Sequence, residues 1–331
     1  MVISRTPFRI SFVGGGSDIP DFYQRYEGAV VSATINQYMY ITTHRFFEPH
    51  QIRAKYSITE TVDHPAELRH PIIRTVLMNY NILGGLEISS LADIPAGTGM
   101  GSSSSFTVGL IHNIRHWLKL PVDKEILASE ACQVEIEQLR EPIGRQDQYA
   151  AAYGGFNKFC FHAHHRVETV PLVLEKALVE ELEKHLLLLF TGVSRSASAV
   201  LQEQKKVLQE DDSKFEVIRE MVSLTEPFVE ALKKGDFEQM GRLLHQNWLL
   251  KKSLTVSISD AIVDKAYEAA LKAGVWGGKL LGAGGGGFLL LMGNPLALHN
   301  VEVALNQFRK ISFNFEFCGS TIIYDGREKK H

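Results

Sequence analysis

The sequence predicts an α+β protein of two domains, on three observations: its length, an alternation of short β-rich runs with helical runs, and glycines gathered into three clusters. At 331 residues, a norm of roughly 150 residues per domain suggests two, although one large α/β domain fits the length as well. Hydrophobic residues make up 45% of the chain and charged residues 22%. That profile excludes disorder and fibres and leaves enough chain to bury a large core.

Taken in order, Phe8 to Val13, Ala29 to Ile35, Tyr38 to Thr43 and Leu86 to Ser90 read as strands, rich in β-branched and aromatic residues. From Ser105 the apolar positions Phe106, Leu110, Ile111, Ile114, Trp117 and Leu118 share one helical face, and Pro121-Val122-Asp123 starts a second helix running to about Leu139. Gly154 to His165 reads as paired strands with a turn, and Leu186 to Phe190 as a buried strand, after which the chain is mostly helical. A boundary near residue 175 therefore separates domains 1–175 and 176–331. The tail reads helix Ile262 to Ala273, glycine loop, strand Phe288 to Met292, helix Leu296 to Phe308 and a last strand near Ser320 to Tyr324, an order that suits a two-layer α/β sandwich. No repeat, low-complexity tract or flexible linker interrupts this order, so the two domains are expected to share a cleft.

Composition removes several function classes. Lys plus Arg number 35 against 38 Asp plus Glu, a formal charge of -3 without a long run of one sign, which argues against a nucleic-acid partner. The N-terminus lacks the layout of a secretory signal, and no stretch approaches the roughly 20 apolar residues that cross a bilayer, so a cytoplasmic protein without membrane contact is expected. Cys132, Cys160 and Cys318 have no CxxC or CxxH partner, so buried free thiols are expected rather than a disulfide framework or a zinc site. Nothing in the letters sets an oligomeric state.

The glycine loops carry the chemistry. In Pro95-Ala-Gly-Thr-Gly-Met-Gly-Ser-Ser-Ser-Ser105, three alternating glycines let backbone approach a ligand and four serines open a helix, the arrangement that binds phosphate. A serine N-cap after a flexible loop would need one hydroxyl, not four. The loop is not a Walker motif: GxxxxGK[ST] fails for want of the lysine, and the Gly278-Lys279 pair is followed by leucine. Gly282, Gly284 and Gly287 formally spell GxGxxG, but a β-like run follows where a dinucleotide fold needs a helix. That segment is expected to be a backbone loop near a ligand or near the first glycine loop, with a tight hairpin as the plainer reading. Arg5 to Asp18 is a strand ending in Gly14 to Gly16. Arg9 within it is costly unless it faces a polar cleft or a paired charge, and Asp18 either serves a ligand or caps a turn. Between Glu135 and Gln148 acids on a helix end run into a glycine turn carrying Asp147. Mg²⁺ with nucleotide phosphates takes one or two carboxylates, and a phosphoryl acceptor hydroxyl is often met by an aspartate. Thr191-Gly-Val-Ser-Arg-Ser-Ala-Ser198 adds Arg195 at a serine-rich helix start.

Arg5 to Asp18, Pro95 to Ser105 and Lys279 to Gly287, in this order and spacing, resemble the three motifs of the GHMP kinases. The resemblance spans nearly the whole chain. RTPFRISFVGGGSDIPDFY, VVSATINQYMYI and GRQDQYAAAYGG look most like the sugar anomeric kinases that act on D-glycero-D-manno-heptose 7-phosphate, with fucokinases the nearest rival. Galactokinases carry Gly-Glu-His-Thr-Asp where this chain has Gly-Gly-Gly-Ser-Asp, which argues against galactose. The resemblance implies an S5-like N-terminal domain, a ferredoxin-like C-terminal domain, ATP between them and Mg²⁺. Asp147 would be the catalytic aspartate and Arg9 the cation beside it. Gly97, Gly99, Met100, Gly101, Ser102, Ser103 and Ser104 would hold the nucleotide phosphates. Ser103 and Glu135, preferred to Glu137 for its distance from Asp147, would be metal ligands. Asp18 would bind sugar hydroxyls, with Gly16, Ser17, Arg195, Gly284 and Gly285 completing the substrate pocket. A catalytically silent sugar sensor is the rival from another class.

Overall fold

The computed structural model describes residues 1–192 and 197–327. Its longest β-forming runs pair with each other: β1 (Val2–Val13) lies antiparallel to β2 (Gly28–Arg45), from Val2 opposite Thr43 to Val13 opposite Val31. Ala29 to Ile35 and Tyr38 to Thr43, expected as two strands, are one. Their register shifts between Pro7 and Phe8, so Asn36 and Gln37 form a bulge beside a proline that has no N–H to give the ladder. Around this pair the sheet adds β3 (Ile52–Lys55), β4 (Thr59–Val62), β5 (Leu86–Ala92), β6 (Phe156–Phe161) and β7 (Val167–Pro171). β6 pairs with β2 and with β7, the latter lying past the segment expected to hold both strands of a hairpin.

A second sheet is built from β8 (Leu186–Phe190), β9 (Gly277–Leu280), β10 (Phe288–Met292) and β11 (Arg309–Lys310), in the order β11-β8-β10-β9 and antiparallel throughout. Leu186, Leu188, Phe288, Leu290 and Met292 join the core of the first sheet, whereas Leu187, Leu189, Leu289 and Leu291 pack into a second core under the C-terminal helices. Because successive strand side chains point to opposite faces, burial on both faces demands the unbroken apolar runs that the sequence shows. One core thus continues from the first sheet onto the second. The chain then leaves the second sheet: β12 (Phe315–Glu316) pairs with β2, and β13 (Thr321–Asp325) with β1. The tail expected to finish a sandwich within 176–331 returns instead to the first sheet.

Helix Ser102–Trp117 is held against β1 and β2. Gly109 lets it approach, since a Cβ there would lie 2.7 Å from Thr6 Oγ1. Asn113, buried, donates to the Ile41 carbonyl at 2.8 Å and accepts the Thr43 hydroxyl at 2.5 Å, and the Ser105 hydroxyl donates to the Pro7 carbonyl at 2.9 Å. The helix expected from Pro121 to Leu139 begins at Lys124 under an Asp123 cap and runs to Cys132, then widens into a π-helical stretch, Gln133–Gln138. That widening places Glu135 in the interior, a use of π-turns common at functional sites. Cys132 and Cys160 are buried free thiols, but Cys318 is exposed, because it sits in the connection between β12 and β13. Among the described residues no helix is long and apolar enough to cross a membrane.

Removing the Asn113 side chain takes the acceptor from the buried Thr43 hydroxyl and one of two side-chain donors from the Ile41 carbonyl, and a buried group left unsatisfied costs roughly 1–3 kcal/mol. Asn113→Ala should lower the urea-unfolding free energy by about 2 kcal/mol; a loss under roughly 0.5 kcal/mol, the range of inert surface changes, would show that the helix is docked by other contacts.

Candidate active site

The site grows from two loops that touch through their backbones. In the Pro95–Ser105 segment Gly97, Gly99 and Gly101 all have positive φ, between 73° and 80°, a region open to glycine at little cost. A Cβ on Gly99 would lie 2.4 Å from the Leu281 carbonyl oxygen, and one on Gly282 would lie 2.4 Å from the Gly99 Cα. The third glycine segment, expected near a ligand or near the first glycine loop, therefore seats on the second, and it forms the turn of the antiparallel β9–β10 hairpin, the plainer reading. Gly101 occupies the N-cap of helix Ser102–Trp117 without a side-chain cap, leaving the N–H groups of the first turn available to an anion.

Beside this junction lies a cavity of about 420 Å³. Arg9 reaches it from β1 and is almost fully buried. Its Nε and Nη2 donate to Asp147 Oδ1 and Oδ2 at 2.7 and 2.8 Å, and its Nη1 donates to the Gly99 carbonyl at 2.6 Å. Asp147 stands in the first turn of helix Gln146–Tyr153, close to Gly101, with its side chain 23% exposed. Asp18 is buried, accepting the Gly16 N–H at 3.1 Å and the Gln146 N–H at 3.2 Å. Burial, and then the charge of Asp147, raise its carboxyl above the ordinary aspartate range. Gly144 is required there, since a Cβ would fall 1.9 Å from Asp18 Oδ2.

Glu135 is wholly buried beneath the loop. It accepts the Ser103 hydroxyl at 2.6 Å, the Ser104 hydroxyl at 2.9 Å and the Gln148 amide at 2.8 Å. Burial raises its carboxyl, and these three donors pull the other way. Lys251, at the end of helix Phe237–Lys252, donates to the Gly282 carbonyl; burial, then Arg9, lower its ammonium to about 8. Lys279 of β9 donates to the Phe12 carbonyl at 2.8 Å and is lowered well below an ordinary lysine, chiefly by burial. Met39, His70, Ile72 and Phe106 give the cavity an apolar wall, in which the His70 and Phe106 rings stack with centroids 4.8 Å apart.

Of the residues singled out in the sequence, Arg9, Gly16, Asp18, Gly97, Gly99, Gly101, Ser102, Ser103, Ser104 and Asp147 line this cavity together. Met100 does not: its side chain is in the core and its carbonyl accepts the Arg9 N–H at 3.2 Å. Ser17 does not, because its buried hydroxyl is held by the Gly14 carbonyl of its own loop and the Ala29 carbonyl of β2. Gly284 and Gly285 lie against Ile258, the Gly285 N–H donating to its carbonyl at 2.9 Å, and Gly282 and Ala283 take their place. Arg195 lies outside the described residues. Sequence reasoning missed Lys251 and Lys279. Lys251 follows Leu244 and Trp248 at the seven- and three-residue spacings of one helix face, and Trp248 is fully buried; that spacing was the available signal.

Residues 69–155 match the GHMP kinases N terminal domain, and residues 228–310 the GHMP kinases C terminal domain. The chain is 30% identical over 325 residues to the D-glycero-alpha-D-manno-heptose 7-phosphate kinase of Campylobacter jejuni, covering 95% of this chain and 96% of that one. It is 27% identical to the bifunctional fucokinase/GDP-fucose pyrophosphorylase of Arabidopsis thaliana, over 86% of this chain but 29% of that longer protein. Among solved structures, a D-glycero-D-manno-heptose 1-phosphate kinase from Bacteroides thetaiotaomicron superposes with a TM-score of 0.81 at 27% identity, covering 98% and 100% of the two chains.

A carboxyl raised by burial binds its proton more tightly folded than unfolded, so its contribution to stability is full in acid and is lost as pH rises from the ordinary glutamate range through its folded value. Glu135→Gln, which retains hydrogen bonding to Ser103, Ser104 and Gln148, should therefore melt a few degrees above the parent at pH 7 and level with it near pH 4. A variant that melts lower at pH 7 would contradict this balance.

Proposed function

The chain belongs to the GHMP kinases, and from that membership we propose that this ATP-dependent sugar kinase phosphorylates the anomeric hydroxyl of D-glycero-D-manno-heptose 7-phosphate, giving the 1,7-bisphosphate, in the cytoplasm. The observation that carries the reading is the two-pronged Arg9–Asp147 pair set beside a glycine-capped helix start. Phosphoryl transfer asks mainly for positioning and charge neutralisation, and this arrangement provides for both. The open amides from Gly97 to Ser104 receive the nucleotide phosphates. His70 and Phe106 offer a ring surface for the nucleobase. Asp147, both oxygens oriented by Arg9, takes the proton of the attacking hydroxyl, while Arg9 offsets charge on the group in transfer. Asp18 accepts hydrogen bonds from sugar hydroxyls.

Ser103 and Glu135 suit Mg²⁺ as a hydroxyl and a carboxylate 2.6 Å apart at the phosphate loop, since this ion takes one or two protein oxygens and fills its shell with water and phosphate. When bound it neutralises phosphate charge. The heptose reading is supported by the relative that matches along nearly the whole of both chains. A fucokinase is the second reading, favoured by the fucokinase relatives. A silent sensor is disfavoured by the joint presence of Arg9, Ser103, Glu135 and Asp147 around one site.

Purified protein with Mg²⁺ and ATP should consume ATP with D-glycero-D-manno-heptose 7-phosphate and not with mannose, fucose or galactose. Asp147→Ala should lower kcat about a thousandfold, the scale of a lost general base. Turnover on fucose alone would move the chain to the fucokinase branch, and ATP binding without turnover on any sugar would make it a sensor.

A further inference from the structure

We infer that Lys251 is a second catalytic cation of this site, its ammonium contacting the phosphoryl group in transfer opposite Arg9. The inference rests on the sugar-kinase reading above. Lysine is rarely buried without a partner for its charge, yet Lys251 is 6% exposed and makes no ion pair among the described residues. An ammonium has three N–H donors. One goes to the Gly282 carbonyl, and the side chain lines the cavity that Arg9, Asp18 and Asp147 also line.

Two cations thus converge on one junction from opposite halves of the chain. Arg9, from β1, holds the Gly99 carbonyl, and Lys251, from helix Phe237–Lys252, holds the Gly282 carbonyl, where the Gly99 and Gly282 backbones touch. Around the cavity Arg9, Lys251 and Lys279 face three carboxylates, Asp18, Glu141 and Asp147. Lys279 is turned to the Phe12 carbonyl. Lys251 is the cation whose remaining donors an anion at the junction would meet. In the transfer, the bond from the γ-phosphorus to the ADP oxygen breaks with its electron pair on ADP, the bond to the sugar oxygen forms, and the hydroxyl proton passes to Asp147. Lys251 keeps its proton throughout and stabilises the charge on the equatorial oxygens.

The bland alternative makes Lys251 a clamp that merely fixes the third glycine loop through Gly282. Lys251→Met and Lys251→Arg in the full chain separate the two, assayed with ATP, Mg²⁺ and D-glycero-D-manno-heptose 7-phosphate. A catalytic cation predicts that Lys251→Met binds ATP and melts as the parent does while kcat falls about a hundredfold, the lower range for losing one preorganised donor. A clamp predicts retained kcat with a raised KM for ATP, and that result would overturn the inference. The pH profile gives a second readout should the methionine variant fold poorly. Burial and then Arg9 lower Lys251 while Asp18 and Asp147 raise it, so parental kcat/KM should fall as pH rises through about 8. Lys251→Arg, which does not titrate there, should regain part of the lost kcat and erase that limb; a limb unchanged in Lys251→Arg also overturns the inference. A parent inactive on every sugar would instead defeat the functional reading and this inference with it, whereas an active parent matched by Lys251→Met defeats this inference alone.

Discussion

Three donors on one guanidinium hold the site together. Arg9 ties β1, the helix start at Asp147 and the glycine loop at Gly99, pieces of chain that lie 138 and 90 residues from it. Burying a charge in this way is favourable only where good hydrogen bonds repay its lost hydration, and here three of the five N–H groups are engaged, two by a carboxylate and one by a carbonyl. The geometry leaves little slack. Gly101 is confined by Asp147 and by the Arg9 side chain, and a Cβ there would press on both at 3.2 to 3.4 Å. The helix start, the acidic side chain and the cation are therefore one unit whose parts depend on each other's placement.

That unit would be of little use if the two halves of the molecule moved independently, and the packing makes this costly. The second sheet is buried on both faces, one against its own helices and the other continuous with the first core. β12 and β13 then carry the chain back to the first sheet. Backbone contact between the second and third glycine loops spans the same boundary, so the cavity is floored by one half of the chain and closed by the other.

Much of this was legible from sequence. The strands Leu186–Phe190 and Phe288–Met292 coincide with their apolar runs, because a strand buried on both faces has no polar positions to blur its ends. That Arg9 meets a polar cleft or a paired charge followed from the cost of a charge inside an apolar strand, whereas Asp147 as its partner came from the family resemblance. What escaped was whatever depends on long-range registry. The return of Thr321–Asp325 to β1 is a matter of edge pairing that no local pattern encodes. Gly284 and Gly285 were given a ligand because glycine marks close approach, but the approaching group is the Ile258 backbone. Ser17 was misplaced for a similar reason: its hydroxyl is engaged by Gly14 of its own turn and by Ala29 of β2.

The buried ionisable groups carry the last step. Asp18 and Glu135 are raised, and Lys251 and Lys279 lowered, with burial the leading cause in each case. Each shift means that the fold disfavours the charged form which phosphate chemistry needs. Such groups survive selection where a ligand supplies the missing counter-charge, and strain of this kind concentrates at functional sites. The signs fit that view. The raised acids lie under Ser103 and behind Gly16, where a cation and sugar hydroxyls would stabilise their ionised forms. The lowered lysines adjoin the glycine-loop junction, where phosphate would stabilise theirs. The cavity is thus lined by charges that opposite ones would stabilise, which ties its affinity for nucleotide and sugar to the same burial that makes each residue costly.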